Sequence, residues 1–432
     1  MPGHHSRNST KWKIGSVLIY FAICLLGTAW ALKRGAHDFE VFYIAASKVG
    51  TPDINNLYDH YAKPDRYLYH PGFAWLFSIF TLVPFKSALV LWCALKTVIG
   101  FWGLLFFSNS LARLCPENSW VGNIPFLSII ALSRLLLMDF QYGQVNFLLM
   151  VSLLVLVTVI LCTPEKSTRR LFTFFPALSS GLFFSIFTFA KLITFPFLFL
   201  PILSWIRFPR TRKRDQAILA GFLLGVILLT IPVLWSGGLE LLSKLTMDWF
   251  ASIRAKGMPY DGHNQSFAAF MHRILGGQVT TVLFDKNYFH FHFNLLEGPI
   301  INKAALVFGV TVYCFIGKWF IRYSKAPSNP IPLFLSAAAL VLPPYLVWKH
   351  YYIFSFFLLS GVGMLGNRKV YAGALVFSFI LFNFTGFDFV GTKTAALFEA
   401  SSLFFWVHAG LGATLALFAY EFGRSPKLPK NP

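Results

Sequence analysis

Apolar runs near the length of a bilayer crossing recur along this chain, divided by polar stretches. They fall at about 14–32, 86–112, 123–138, 147–163, 172–190, 192–206, 217–235, 299–320, 331–347, 351–366, 371–386 and 396–420. A helix needs about 20 mostly apolar residues to cross the hydrocarbon core. The pattern predicts an all-α polytopic membrane protein with about twelve transmembrane helices. Segment 72–84, GFAWLFSIFTLVP, is too short to cross and predicts a juxtamembrane or re-entrant helix. Two polar stretches are long, about 33–71 and 236–298, and the other connections are tight.

Basic residues set the orientation. TPEKSTRR (163–170), RFPRTRKR (207–214), GKWFIRYSK (317–325), NRK (367–369) and the tail GRSPKLPK all alternate onto one side, together with Arg7, Lys11 and Lys13. By the positive-inside rule that side is cytoplasmic. Residues 1–13 then form a cytoplasmic N-terminal segment, 14–420 one transmembrane domain, and 421–432 a cytoplasmic tail. The acids gather on the opposite side: Asp38, Glu40, Asp53, Asp59, Asp65, Asp139, Glu240, Asp248, Asp261, Asp285 and Glu297. Transporters place such groups near the bilayer midplane. Polar residues held in outer loops predict a site at the outer membrane surface.

Composition agrees. Of 432 residues 56% are hydrophobic and 12% charged, about half the charge of a soluble domain. The net charge of +20 lies in loops between apolar runs, as orientation signals do, so no nucleic-acid partner is expected. Cys24, Cys93, Cys115, Cys162 and Cys314 have no metal-site or disulfide spacing. No small-residue cleavage site follows the first apolar run, which is read as a retained helix.

Candidate chemistry sits in the outer segments. Asp38 in AHDFEVFYIAASK is ionised at neutral pH, as a general base must be; equally, it suits the N-cap of an interfacial helix. The two roles are compatible. Glu40 is a weaker candidate, since on a helix the two carboxylates diverge. In RYLYHPGF, Pro71 forces an extended His70, and Tyr69 with His70 suits either a headgroup site or an interfacial aromatic belt. In DFQYGQVNF, Gly143 permits a tight bend. Gln144 and Asn146 there offer amides to sugar hydroxyls, or simply form a polar turn. Arg134 lies inside a span, where ionisable groups are functional candidates; the alternatives are snorkelling or pairing with Asp139. Lys191 in a Pro-rich hairpin, and Trp348, Lys349 and His350 in PPYLVWKHYY, complete the set. Lys191, Lys349, His350 and Arg134 would together suit a phosphate. In DGHNQSFAAFMHRIL, Asn264 or Ser266 caps a helix and Gln265 lies beside them. His290 and His292 in NYFHFHFN share a strand face but lack a third metal ligand.

Five stretches in this order carry a resemblance: HDFEVFYIAASKV, YLYHPGFAWLFSIFTLVPF, YGQVNFLLMVSLLVL followed by FAKLITFPFLFLPIL, NQSFAAFMHRIL, and PPYLVWKHYY. The chain resembles the GT-C class of membrane glycosyltransferases over about residues 13–385. It is most similar to glycosyltransferase family 87, which includes polyprenol-phosphate-mannose-dependent mannosyltransferases. Two departures stand out: His70-Pro71-Gly72 where the family commonly has Tyr-Pro-Pro, and Leu192 where a Pro often follows the Lys. The resemblance implies a GT-C fold in a bacterial plasma membrane, with Asp38 as the catalytic base and Lys191 and His350 on the donor phosphate. Arg134 and Lys349 join as further phosphate contacts. Glu40, Tyr69, His70, Gln144, Asn146, Asn264, Gln265 and Trp348 are the expected substrate contacts. The expected partners are a polyprenyl-phosphate-linked sugar, a lipid or glycan acceptor, and membrane lipid. No cofactor is assigned, and a divalent metal is left open. The competing readings are a transporter or flippase, a non-catalytic scaffold, and a lipid-linked polysaccharide ligase or polymerase. A transporter needs more ionisable groups deep in its spans than Lys96 and Arg134. A ligase would show Arg-rich outer loops.

Overall fold

The computed structural model describes residues 3–59, 67–116, 118, 120–162, 170–207, 211–255, 262–277, 282–283, 286–287, 293–325 and 329–421. Within them the chain is helical: α1 Gly3–Arg34, α2 His37–Ser47, α3 Pro71–Phe77, α4 Phe85–Leu114, α5 Ile124–Ala131, α6 Ser133–Tyr142, α7 Asn146–Cys162, α8 Arg170–Ala190 and α9 Phe199–Arg207. Then follow α10 Arg212–Ala255, α11 Phe267–Leu275, α12 Gly298–Lys325, α13 Ile331–Ala339, α14 Ser355–Met364, α15 Arg368–Asn383, α16 Phe387–Ala400 and α17 Leu403–Glu421. Among the described residues the strands are a two-residue antiparallel pairing of Val282–Leu283 with Lys286–Asn287. The predicted all-α class is correct.

Four described helices are long and apolar enough to cross a membrane: Lys13–Arg34, Phe85–Leu114, Arg212–Ala255 and Gly298–Arg322. Two bent pairs raise the number to six if each is one span, α5 with α6 at 59° and α15 with α16 at 82°.

Several predicted spans are interrupted. The run 123–138 bends at Leu132, between α5 and α6. The run 192–206 begins as a 3-10 helix, Leu192–Leu198. The run 217–235 is part of α10, which extends to Ala255 through a break at Gly237 and Gly238, so a helix occupies the start of the expected 236–298 loop. The run 331–347 is helical only to Ala339. The run 351–366 opens as the 3-10 helix Lys349–Phe354. The run 396–420 changes helix at Ser401 and Ser402, where Ser402 takes φ +51. Periodicity and hydropathy report burial of the side chains along a run. They do not report where backbone hydrogen bonds change partner.

Two compact units are formed, one from Met1–Tyr20, Phe107–Leu136 and Met258–Pro432, the other from Phe21–Phe106 and Leu137–Gly257. The second unit holds α2, α3 and most of α4, with α7–α10. Its tightest packing is α8 on α10. A Cβ on Gly181 would lie 2.0 Å from Ile218 O, and one on Gly221 would lie 1.9 Å from Leu178 O. Small residues let helix backbones approach where dispersion, rather than water exclusion, drives association. Here α2 packs through Phe39, which meets Phe77 at 5.5 Å and Phe85 at 5.3 Å, and Phe42, which meets Phe73 at 5.6 Å. Tyr43 donates to Val83 O at 2.9 Å. These contacts hold α2 by its apolar face and fix the direction of its first turn.

The first unit contains α5, the start of α6, and α11–α17 with the bent pair α15 and α16. Ser133 Oγ and the Arg134 N–H both donate to Asn383 Oδ1, at 2.7 and 2.8 Å, while Arg134 Nη1 donates to Asn383 O at 3.0 Å. The freed backbone groups at each bend therefore find side-chain partners, as groups removed from water must.

Candidate functional site

The second unit carries a polar wall built on the turn between α6 and α7. Lys96 of α4, fully buried, forms an ion pair with the fully buried Asp139 and donates to Asp139 O at 3.0 Å. The same carboxylate accepts from the Phe147 N–H at 3.1 Å through Oδ2, and Asp139 O accepts from the Gln144 N–H at 2.9 Å. Asp139 is thus the lock of residues 139–147 and the partner of Lys96, where the sequence left pairing with Arg134 as one alternative. Trp92 Nε1 donates to Gly143 O at 2.9 Å.

That turn presents Gln144 and Asn146. Both are buried, and they receive the Lys191 ammonium at 2.7 Å (Oε1) and 3.0 Å (Oδ1). Lys191 stands where α8 ends, with an extended backbone before the 3-10 helix. Its Nζ lies 5.9 Å from the centre of the Tyr69 ring, within cation–π range. Tyr69 in turn meets Phe42 of α2 edge-on at 4.6 Å.

The same turn touches the helix of Asp38. Gly143 has φ +70, and a Cβ there would meet Phe39 Cβ at 2.5 Å and Ala36 Cβ at 3.3 Å. Both the conformation and the close approach require glycine. Asp38 and Glu40 occupy the first turn of α2, whose N-cap is Ala36. Asp38 is therefore not the N-cap, which removes that structural assignment, and its half-buried carboxylate lies in the field of the helix N-terminus. His37, Asp38 and Glu40 all have interaction partners.

His70 is built into the fold. Its Nδ1 accepts from the Gly72 N–H at 3.1 Å, capping α3, and its ring packs on Trp249 and Phe189 at 5.1 and 5.2 Å. Burial holds the His70 imidazole at about 4, below its usual 6.5. The folded chain keeps this group neutral while the unfolded chain protonates it. The resulting stability is complete above about pH 6.5 and is lost as pH falls toward 4, a difference of roughly 3 kcal/mol. Thermal melts of the detergent-solubilised protein taken from about pH 7 to about pH 4 should therefore fall with acidification, and His70→Asn should flatten the decline.

The other candidates lie in the first unit, where Asn264 organises a junction. It pairs as a β-bridge with Trp348. Its Oδ1 accepts from the Ser266 and Val347 N–H groups, both at 3.1 Å, and its Nδ2 donates to Tyr345 O at 2.9 Å. Ser266 caps α11. The Gln265 N–H donates to Val347 O at 2.7 Å, and Gln265 Nε2 to Glu399 O at 2.9 Å. Lys349 is ion-paired with Glu399. His350 is buried and stacks on Tyr351 at 5.4 Å. Arg134 is turned to Asn383, as described above. Sequence reading missed two residues here, Glu399 and the fully buried Arg273. Arg273 sits within NQSFAAFMHRIL but drew no role there, and Glu399 falls in no stretch that pattern alone marks as special. His290 and His292 lie outside the described residues. Among the described residues no group of three or more His, Cys, Asp or Glu is arranged to hold a metal ion.

The profile of glycosyltransferase family 87 matches residues 67–347, and the chain belongs to that family; it is a glycosyltransferase. Searches of curated proteins and of solved structures returned no match. The matched range takes in Tyr69, His70, Arg134, Gln144, Asn146, Lys191, Asn264 and Gln265. Asp38 and Glu40 precede it, and Trp348, Lys349 and His350 follow it.

Proposed function

We propose that this glycosyltransferase takes a hexose, mannose, from a polyprenyl-phosphate donor and transfers it with inversion to a hydroxyl of a lipid or glycan acceptor. The reaction runs at the outer face of a bacterial plasma membrane, in a chain that crosses about twelve times with both termini cytoplasmic. Asp38 takes the proton of the acceptor hydroxyl. The oxygen attacks the anomeric carbon, the bond from that carbon to the phosphate oxygen breaks, and its electron pair leaves with polyprenyl phosphate. A phosphate is a good leaving group, so no general acid is required. Negative charge grows on the phosphate, where fixed cations stabilise it. Lys191 is the cation for this role, and the sequence reading adds Lys349, His350 and Arg134 as phosphate candidates. Gln144, Asn146, Tyr69, His70, Glu40, Asn264, Gln265 and Trp348 meet the substrates.

One observation carries the reading: a single turn, 139–147, abuts the first turn of α2 through Gly143 and cradles Lys191 through Gln144 and Asn146. A carboxylate-bearing helix end and an oriented ammonium thereby both rest against one turn. The test is a transfer assay with protein in nanodiscs, radiolabelled polyprenyl-phosphate mannose, and a panel of lipid and glycan acceptors. Wild type should transfer, and Lys191→Met should lower kcat/KM by about 10²-fold. Absence of transfer from any polyprenyl-phosphate sugar would remove the donor assignment.

A further inference from the structure

Glu399 lies at the C-terminal end of α16, with only 9% of its surface exposed. Its backbone is unusually well anchored. Arg273, fully buried on α11, donates through Nε to Ala400 O at 2.9 Å and through Nη2 to Glu399 O at 3.4 Å and to Ser402 Oγ. Its Nη1 donates to Asn264 O at 2.8 Å. Gln265 Nε2 adds a bond to Glu399 O. A buried guanidinium fully engaged by oxygen acceptors is a rigid brace. The carboxylate of Glu399 therefore springs from a fixed backbone.

This carboxylate faces two groups able to carry positive charge. Oε1 pairs with the Lys349 ammonium, and Oε2 lies 3.7 Å from His263 Nδ1. The Lys349 side chain retains 20% exposure and that of His263 48%, so solvent reaches the pair. Lys349 is thus not a bare cation awaiting an anion. Any phosphate that reaches it must compete with a carboxylate already in place.

We propose that Glu399 is a specificity-determining residue: it neutralises Lys349 in the empty enzyme and yields it only to a ligand with a strongly anionic headgroup. The inference rests on the donor reading above. Held by Glu399, Lys349 offers little to neutral lipids such as free polyprenol. A phosphate monoester, with charge spread over several oxygens, forms charge-assisted bonds strong enough to draw the flexible lysine away. The braced carboxylate stays behind and favours departure of the phosphate once transfer is done.

The experiment measures equilibrium binding of radiolabelled polyprenyl phosphate, and of polyprenol as the neutral control, to protein in phosphatidylcholine nanodiscs. Glu399→Gln should bind polyprenyl phosphate about tenfold more tightly than wild type, with polyprenol binding unchanged. The gain should vanish in Glu399→Gln/Lys349→Met. Lys349→Met alone leaves the carboxylate uncompensated and should weaken phosphate binding while sparing polyprenol. This variant carries the test if thermal melts show Glu399→Gln misfolded. Unchanged or weaker phosphate binding by folded Glu399→Gln, a gain that survives in the double variant, or a Lys349→Met effect equal for both lipids would each overturn the proposal. None of these readouts requires turnover, so failure of the donor reading would show separately, as absence of transfer by wild type.

Discussion

Asp38→Asn should leave the protein folded and reduce transfer by about 10²- to 10⁴-fold, the usual worth of a positioned proton acceptor. Asparagine has nearly the same shape as aspartate and keeps an acceptor oxygen, but it cannot take a proton. The loss should fall on kcat, because the acceptor hydroxyl is deprotonated only on the way to the transition state. The helix start tolerates the change, since the N-cap of α2 is Ala36 and not Asp38. Removing a carboxylate from a first helical turn costs only about 0.3–1 kcal/mol. The measurement is steady-state transfer by both proteins in the same nanodiscs, with melting temperatures alongside. Equal kcat in the two would take Asp38 out of the chemistry and leave it as a charge placed to suit the helix end.

Lys96→Met should destabilise the second unit by roughly 3–5 kcal/mol, because it strands Asp139 as a buried and unpaired charge. Both partners are fully buried. Asp139 also holds the Phe147 and Gln144 amides, so the injury reaches the Lys191 cradle. Pairing the substitution with Asp139→Asn removes the orphan charge and should restore much of the stability. Urea or thermal unfolding of both single variants and the double variant measures this, and the coupling between the sites should exceed about 1 kcal/mol. Transfer should recover less than stability does, since a neutral amide in place of the Asp139 carboxylate does not reproduce the ion pair that fixes the turn.

Some of the candidate site was legible in the chain. AHDFEVFYIAASK predicted a short amphipathic helix beginning near Asp38, and α2 starts at His37 with Phe39, Phe42, Ala45 and Ala46 buried. His70 before Pro71 is extended as expected. Gly143 does make a tight bend. These are local consequences of proline geometry, glycine freedom and helical periodicity, all written within a few residues. Arg134 and Lys191 were recognisable as candidates because a charge within or beside an apolar run is costly wherever it lies.

What each charge meets was not legible. Asp139 takes Lys96, 43 residues earlier in the chain; Arg134 reaches Asn383; Lys349 meets Glu399; and Arg273 closes on the junction of α16 with α17. The sequence by itself determined a helical, strongly apolar chain punctuated by polar loops, because hydropathy and local backbone preference depend on neighbours in sequence. Only the tertiary structure decided where apolar runs break and which cations are already committed. Those outcomes depend on which distant segment supplies the hydrogen bond or counter-charge that a low-dielectric interior demands.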